Sequence, residues 1–311
     1  MARRVFITGG SGFIGANLVR AEIGAGAEVH LLLRAEARTW RLEGVAGRYQ
    51  AHRGDLRDPA AVRRAVQAAR PDVVYHLATH GAYPDQTERG AILATNLLGT
   101  ANLLEALAGR EYEALVHAGS SSEYGHKDRP MRECDVPEPR TDYGVTKAAA
   151  TLLCQAEAHR GAPACTVRVF SAYGPWEEPS RLVPYVLESC LRGVAARVTA
   201  GAQPRDFVYV DDVVELLRTA ARLPACRGRI LHAGTGTEST VRRMVEVIHE
   251  VCGGPAPVYG AEPVRPGEPR HWCAAIDATR ELTGWHPRHD LAAGVARMRD
   301  WWLGARGRAA A

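Results

Sequence analysis

The chain has 311 residues, 46% of them hydrophobic and 24% charged, with a net charge of +4. That is ordinary for a soluble globular protein with one large α/β domain and a smaller annex, or with two domains. The charge is mild and forms no Lys/Arg block, and no apolar stretch approaches membrane-spanning length, so neither nucleic acid nor a membrane is an expected partner. Seven scattered cysteines, odd in number and never in a CxxC pair, speak against a disulfide framework or a zinc site. They point to free thiols in a reducing cytoplasm, and no metal site is expected. The start, Met1-Ala-Arg-Arg, is too short before Gly9 for a signal peptide.

In chain order, Val5-Phe-Ile-Thr8 is an apolar run that stops at Gly9-Gly-Ser-Gly12-Phe13-Ile14-Gly15 and continues as an apolar helix from Ala16. Gly9, Gly12 and Gly15 lack Cβ atoms, so backbone N–H groups and a helix N-terminus can approach a pyrophosphate. Glu28 to Leu33 reads as a second strand that ends at Arg34. An acidic residue there suits the 2′-hydroxyl of NAD and an arginine suits the 2′-phosphate of NADP. Arg34, with Arg38 close by, therefore favours NADP(H) over NAD(H).

Asp55 and Leu56 follow the next probable strand, and Asp58-Pro59 starts a helix as N-cap and N1 residues. Pro71 to Ala78 is a buried strand that brings Leu77, Ala78 and Thr79 to the expected cofactor edge. Ile92 to Leu107 reads as a long helix with Asn96 inside it, a buried polar residue that ties backbone groups. Ala114 to Gly119 is a strand that delivers Ser120-Ser121-Ser122-Glu-Tyr124-Gly. In a doubly wound sheet such loops line the ligand crevice. His126 to Arg140 is a polar loop.

Tyr143 and Lys147 then lie four residues apart, on one face of a helix. A nearby cation favours a phenolate and makes tyrosine usable for proton transfer. Only two lysines occur, Lys127 and Lys147, in a chain that uses arginine elsewhere. A slim point charge is what such a site needs. Further on, Ser180 to Arg192 and Thr240 to Val251 read as helices, and Gly228 to Gly234 as a strand. Pro255 to Pro269 is a Pro/Gly-rich loop. Trp272, Trp285, Trp301 and Trp302 read as core or interface residues, and the tail from Gly304 as frayed.

These motifs resemble the extended short-chain dehydrogenase/reductase family of nucleotide-sugar epimerases, dehydratases and ketoreductases. The likeness includes Val167-Arg-Val-Phe-Ser-Ala-Tyr-Gly-Pro175, Arg205-Asp-Phe-Val-Tyr-Val-Asp-Asp-Val213 and Gly284-Trp-His-Pro287, and covers nearly the whole chain. It implies an α/β fold: a doubly wound parallel (Rossmann) sheet with a smaller C-terminal substrate domain. The first would comprise residues 1–169 and about 207–235, the second about 170–206 and 236–311. It implies Tyr143 as acid/base, Lys147 on the nicotinamide ribose and Ser120 on the sugar oxygen. Asp55 and Leu56 would sit by adenine, with Leu77, Ala78 and Asn96 along the cofactor. Ser121, Ser122 and Ser171 would meet substrate, and Arg205 and Arg265 would clamp a diphosphate. Ser171 stands where that family often has Asn, which puts one diphosphate contact in doubt.

Dehydratases of the family carry a carboxylate where this chain has Ser122. The Ser-Ser-Ser-Glu-Tyr-Gly form looks more like the 4-keto-6-deoxy-sugar reductases. The expectation is therefore NADPH-dependent reduction of a nucleotide-linked 4-keto hexose, with an NAD-retaining C4 epimerase as the alternative. A homodimer is implied by the resemblance alone.

Overall fold

Seven short strands line up in one sheet because the inner ones are nearly unbroken apolar runs and helices cover both faces, while the edge strand Gln50–Arg53 is polar and largely exposed. In the computed structural model, which describes residues 2–83, 85–264 and 267–309, six of them are β1 (Arg4–Thr8), β2 (Glu28–Leu33), β3 (Gln50–Arg53), β4 (Val73–His76), β5 (Ala114–Ser120) and β6 (Ala164–Val169). A closing strand, Ile230–Ala233, completes the sheet. The spatial order is closing strand, β6, β5, β4, β1, β2, β3, and every pair is parallel. From β1 the chain winds outward through β2 and β3, then returns to β1's other side for β4. A sheet wound both ways opens a crevice at the carboxyl ends of its strands where the winding reverses. The doubly wound parallel fold expected from the sequence is present.

The covering helices follow their sequence signals. α1 (Phe13–Gly24) opens straight from the glycine turn. α2 (Pro59–Ala69) starts where Asp58 accepts from the N–H groups of Ala60 and Ala61, with Pro59 behind it. The helix expected from Ile92 begins earlier. α3 (Arg89–Leu93), a π-helical turn (Ala94–Leu98) and α4 (Gly99–Leu107) form one rod. Its mean hydropathy of 1.2 makes Arg89–Leu107 long and apolar enough to cross a membrane, which the sequence reading did not expect of any stretch. Here it packs beside α2 and against α5 (Asp142–His159), with Asn96 and Thr100 buried.

After β6 come α6 (Leu182–Leu191) and α7 (Val210–Arg222), and α7 joins α1 over the sheet. Then α8 (Val241–Cys252) runs from its Thr240 cap to Gly253 at φ 70°, followed by α9 (Asp277–Thr283) and α10 (Leu291–Ala309). A second apolar core forms where α6, α8 and α10 bury Val186, Leu187, Met244, Ile248, Val295 and Met298. α10 runs on through Gly304 to Ala309, where a frayed tail was expected. Trp285 is buried and donates Nε1 to Asp212 O, while Trp176, Trp301 and Trp302 pack edge to face. All seven cysteines are free thiols.

Candidate active site

The glycine turn after β1 closes only without side chains. Gly9 sits at φ 72°, and a Cβ on it would meet Ala78 N at 2.5 Å. A Cβ on Gly15 would lie 2.1 Å from Gly9 O. Gly12 caps α1 with no side-chain hydrogen bond, and no acidic residue stands in the first turn. The first N–H groups of α1 are thus free of a capping oxygen, and Phe13 and Ile14 anchor that turn on the sheet core. A strip of donors with no Cβ in the way, at the positive end of a helix, is the cradle a dinucleotide pyrophosphate requires. The residues present fit that group.

Arg34 lies just beyond β2, exposed, 3.6 Å from Glu36 Oε1. Its carbonyl accepts from Arg53 Nη1 at 3.2 Å, so the Arg53 guanidinium lies against the Arg34 backbone. Asp55 bonds Arg57, which holds its carboxyl below the usual carboxylate range, with Arg34 adding to the same pull. Leu56 is buried beneath Gly99, where a Cβ would stand 2.7 Å from Leu56 Cδ2. Across the crevice, Leu77 N and Ala78 N donate to the carbonyl and hydroxyl oxygens of Thr8. Asn96 lies in the π turn and accepts from Thr79 Oγ1 and His80 N. It also donates to His80 O and Thr146 Oγ1. It ties the loop after β4 to α5, the structural role read for it from the sequence.

Thr141 caps α5 by accepting from Gly144 N at 3.0 Å, which sets Tyr143 and Lys147 in its first two turns. Lys147 is buried, and its ammonium donates to Ala118 O and lies 3.3 Å from His117 Nε2. Burial draws its pKa down to about 8, while Glu123 and Cys154 push it up. Sequence reasoning has Lys147 pulling the phenol of Tyr143 down. In this structure burial wins, and the phenol is pushed above its ordinary value. The hydroxyls of Ser120 and Thr79, with the guanidinium of Arg181, favour its ionised form, and Glu123 opposes them.

Ser120 ends β5 as half of a capping box. Its hydroxyl accepts from Ser122 N at 3.1 Å, and its own N–H donates to Glu123 Oε1 at 2.7 Å. Glu123 is fully buried and paired with Arg168 at 2.7 Å. The carboxylate nearest the serines is thus locked into the sheet. Ser121 accepts from Trp272 Nε1 at 3.2 Å, and Ser122 is half-buried.

Three further candidates lie in the chain after β6. Ser171 is half-buried and its N–H donates to Asp206 O at 2.9 Å. Arg205 is paired with Glu268 at 2.6 Å. Arg265 lies outside the described residues. Asp206, between them, accepts from Thr235, Gly236 and Ala274 backbone N–H groups, so it staples two loops together. Sequence reasoning missed Arg181 and His117 altogether, and passed over Thr79 as a place-marker at a strand end. Arg181 sits one position before the first residue of α6, and no motif in the sequence marks it.

The family described as the NAD dependent epimerase/dehydratase family matches residues 5–234. The chain is 30% identical to a UDP-glucose 4-epimerase of Streptomyces lividans over 94% of each chain. It is 29% identical to a dTDP-glucose 4,6-dehydratase of Xanthomonas campestris, over 96% of this chain and 92% of that one. Among solved structures, MoeE5 in complex with UDP-glucose and NAD is similar at 33% identity and a TM-score of 0.83. That likeness covers 97% of this chain and 99% of the other.

Proposed function

This chain belongs to the NAD-dependent epimerase/dehydratase family, and on that premise we propose that it is a nucleotide-sugar C4 epimerase that keeps its dinucleotide bound between half-reactions. It is an NAD(P)-dependent enzyme. The observation that carries the reading is the meeting of Ser120 and Thr79 at the phenol of Tyr143, on the helix that also holds Lys147. The locked state of Glu123 adds to it. Elimination of water needs a free acid and base at adjacent sugar positions, and the only carboxylate in the Ser120–Tyr124 segment is buried in an ion pair. That weighs against a dehydratase, although dehydratases are among the relatives. The relative from Streptomyces lividans is a UDP-glucose 4-epimerase, and a probable UDP-glucuronate 4-epimerase of Rhizobium meliloti is similar at 28% identity.

In this reading Gly9, Gly12, Phe13, Ile14 and Gly15 hold the pyrophosphate, Asp55 and Leu56 the adenine end, and Leu77, Ala78 and Asn96 the stretch between. A bound nicotinamide supplies reversible hydride transfer at the sugar carbon. Tyr143 Oη takes the proton of the sugar 4-hydroxyl and later returns one to the same oxygen after the sugar has presented its other face. Ser120 Oγ donates a hydrogen bond to that oxygen, and Lys147 keeps a positive charge behind the phenol. Ser121, Ser122, Ser171, Arg205 and Arg265 meet the nucleotide sugar, held between residues 1–169 with about 207–235 and an annex of about 170–206 with 236–311. The protein acts as a homodimer.

A second reading rests on a specific feature. Arg34 and Arg53 together at the end of β2 suit a 2′-phosphate, and so NADPH-dependent reduction of a 4-keto-(6-deoxy)hexose. The two readings separate in one experiment. Incubation with UDP-glucose or UDP-glucuronate and no added reductant should yield the C4 epimer by NMR. Tyr143→Phe should slow this by about 10²–10⁴-fold. No inversion of any UDP- or dTDP-sugar, with NADPH consumed on a 4-keto sugar, would replace the first reading by the second.

A further inference from the structure

Lys147 has a neighbour that the reaction as drawn does not use. His117 lies on β5, fully buried, with Nε2 3.3 Å from Lys147 Nζ. Its other nitrogen, Nδ1, stands 3.3 Å from Thr166 Oγ1, because the β5–β6 register sets His117 opposite Thr166. An ammonium only donates. The imidazole must therefore accept at Nε2 and carry its proton on Nδ1, toward Thr166. The ammonium thus selects a tautomer whose Nε2 lone pair faces it, and the sheet register supplies Thr166 Oγ1 as acceptor for the proton on Nδ1. Burial, with Lys147, His76 and Arg168 nearby, holds the imidazole's pKa well below its ordinary value, so it stays neutral through the working range.

We propose, on the reading of Tyr143 and Lys147 given above, that His117 is a positioning residue for Lys147: a neutral acceptor that fixes the ammonium against the end of β5, beside Ala118 O, and keeps it charged. A hydrogen bond made to the charged form of a group favours that form. The other groups facing Lys147 are Glu123 on the turn after β5, Cys154 on α5, His76 on β4 and the carbonyl of Ala118 on β5, while Arg168 on β6 acts on His117 itself. Burial already pulls Lys147 to about 8. Loss of the acceptor adds to that pull, so the ammonium is lost at a lower pH.

The test is the alkaline limb of two profiles, kcat/KM for the nucleotide sugar and the affinity for NADH or NADPH followed by fluorescence. His117→Leu should lower both limbs by about one pH unit with KM for the sugar little changed. His117→Gln, whose amide places an acceptor near the Nε2 position, should restore them. Thr166→Val, which leaves the Nδ1 proton without its acceptor and so weakens Nε2 as an acceptor, should move them the same way by a smaller step, and it carries the test if His117→Leu does not fold. Limbs that superimpose on the wild type in His117→Leu, or in Thr166→Val where that variant carries the test, would overturn the proposal. Failure of the wild type to turn over any nucleotide sugar would sink the functional reading, yet the dinucleotide profile would still decide His117. Absence of dinucleotide binding would sink both.

Discussion

Glu177 follows Trp176, a bulky residue held at φ 69°, in a left-handed conformation that costs about 1–2 kcal/mol for a residue with a Cβ. The surroundings hold it there. Arg41 Nε donates to Trp176 O at 2.7 Å, Asn17 Nδ2 donates to Pro175 O at 2.8 Å, and Arg20 lies 4.0 Å over the Trp176 ring. The turn drives Glu177 inward, where Oε2 has no hydrogen-bond partner among the described residues and Arg181 stands 3.7 Å from Oε1. Burial pushes its pKa from 4.5 up to about 8. The unfolded chain therefore sheds this proton first, and stability falls as pH rises from about 4.5 to 8. Glu177→Gln should match the wild type near pH 4 and melt higher at pH 8, by roughly 2–4 °C for each kcal/mol recovered. Equal melting temperatures at pH 8 would show that the carboxyl finds solvation the geometry does not reveal. Nothing in the sequence marks this site, since the strain is held by three partners far off in the chain, Asn17, Arg20 and Arg41.

Elements were more legible than their fittings. Asp58-Pro59, the glycine series and Gly253 announce helix ends because capping is local chemistry, and each falls where the sequence puts it. The π turn in Ala94–Leu98 was not legible. It exists because Asn96 must reach His80 and Thr146 at once, a demand set by tertiary packing. Thr141 is the cap that matters most to the site, because Tyr143 is the second residue of α5. Thr141→Ala should cost about 1 kcal/mol of stability and, by loosening the first turn, lower kcat more than it raises KM. A kcat equal to the wild type's would show that packing alone positions the tyrosine. The tuning of that tyrosine was only half legible. Spacing puts the lysine one turn beyond the tyrosine on α5, but the competition between burial and the Ser120 and Thr79 hydroxyls needs three dimensions.

For the whole molecule, the order of motifs along the chain was enough to expect a doubly wound sheet, because each strand and its crossover helix are read in sequence. The pairing of distant loops by Asp206 was not, because its partners lie about thirty and seventy residues away. Leu93 and Leu98 on the α3–α4 rod, and Val145 and Leu152 on α5, are exposed although large and apolar, Leu152 at 62%. Val145 and Leu152 are seven apart, on one helix face. For the homodimer proposed above, the prediction is that the copies meet on this face. Leu152→Glu should halve the mass seen by light scattering while dinucleotide binding persists. An unchanged mass would place the contact elsewhere.

One buried string of polar groups carries a consequence for how this protein has been free to diverge. Glu123 holds Arg168, whose guanidinium lies 4.3 Å over the Tyr124 ring. The Tyr124 hydroxyl meets His232 Nε2 at 2.6 Å, and His232 Nδ1 reaches Ala275 O at 2.9 Å. Each member satisfies the next, so exchanging any one strands a charge or a dipole in the interior. Descendants of this chain must inherit the string whole or trade all of it together, which leaves variation to loops that hang outside it.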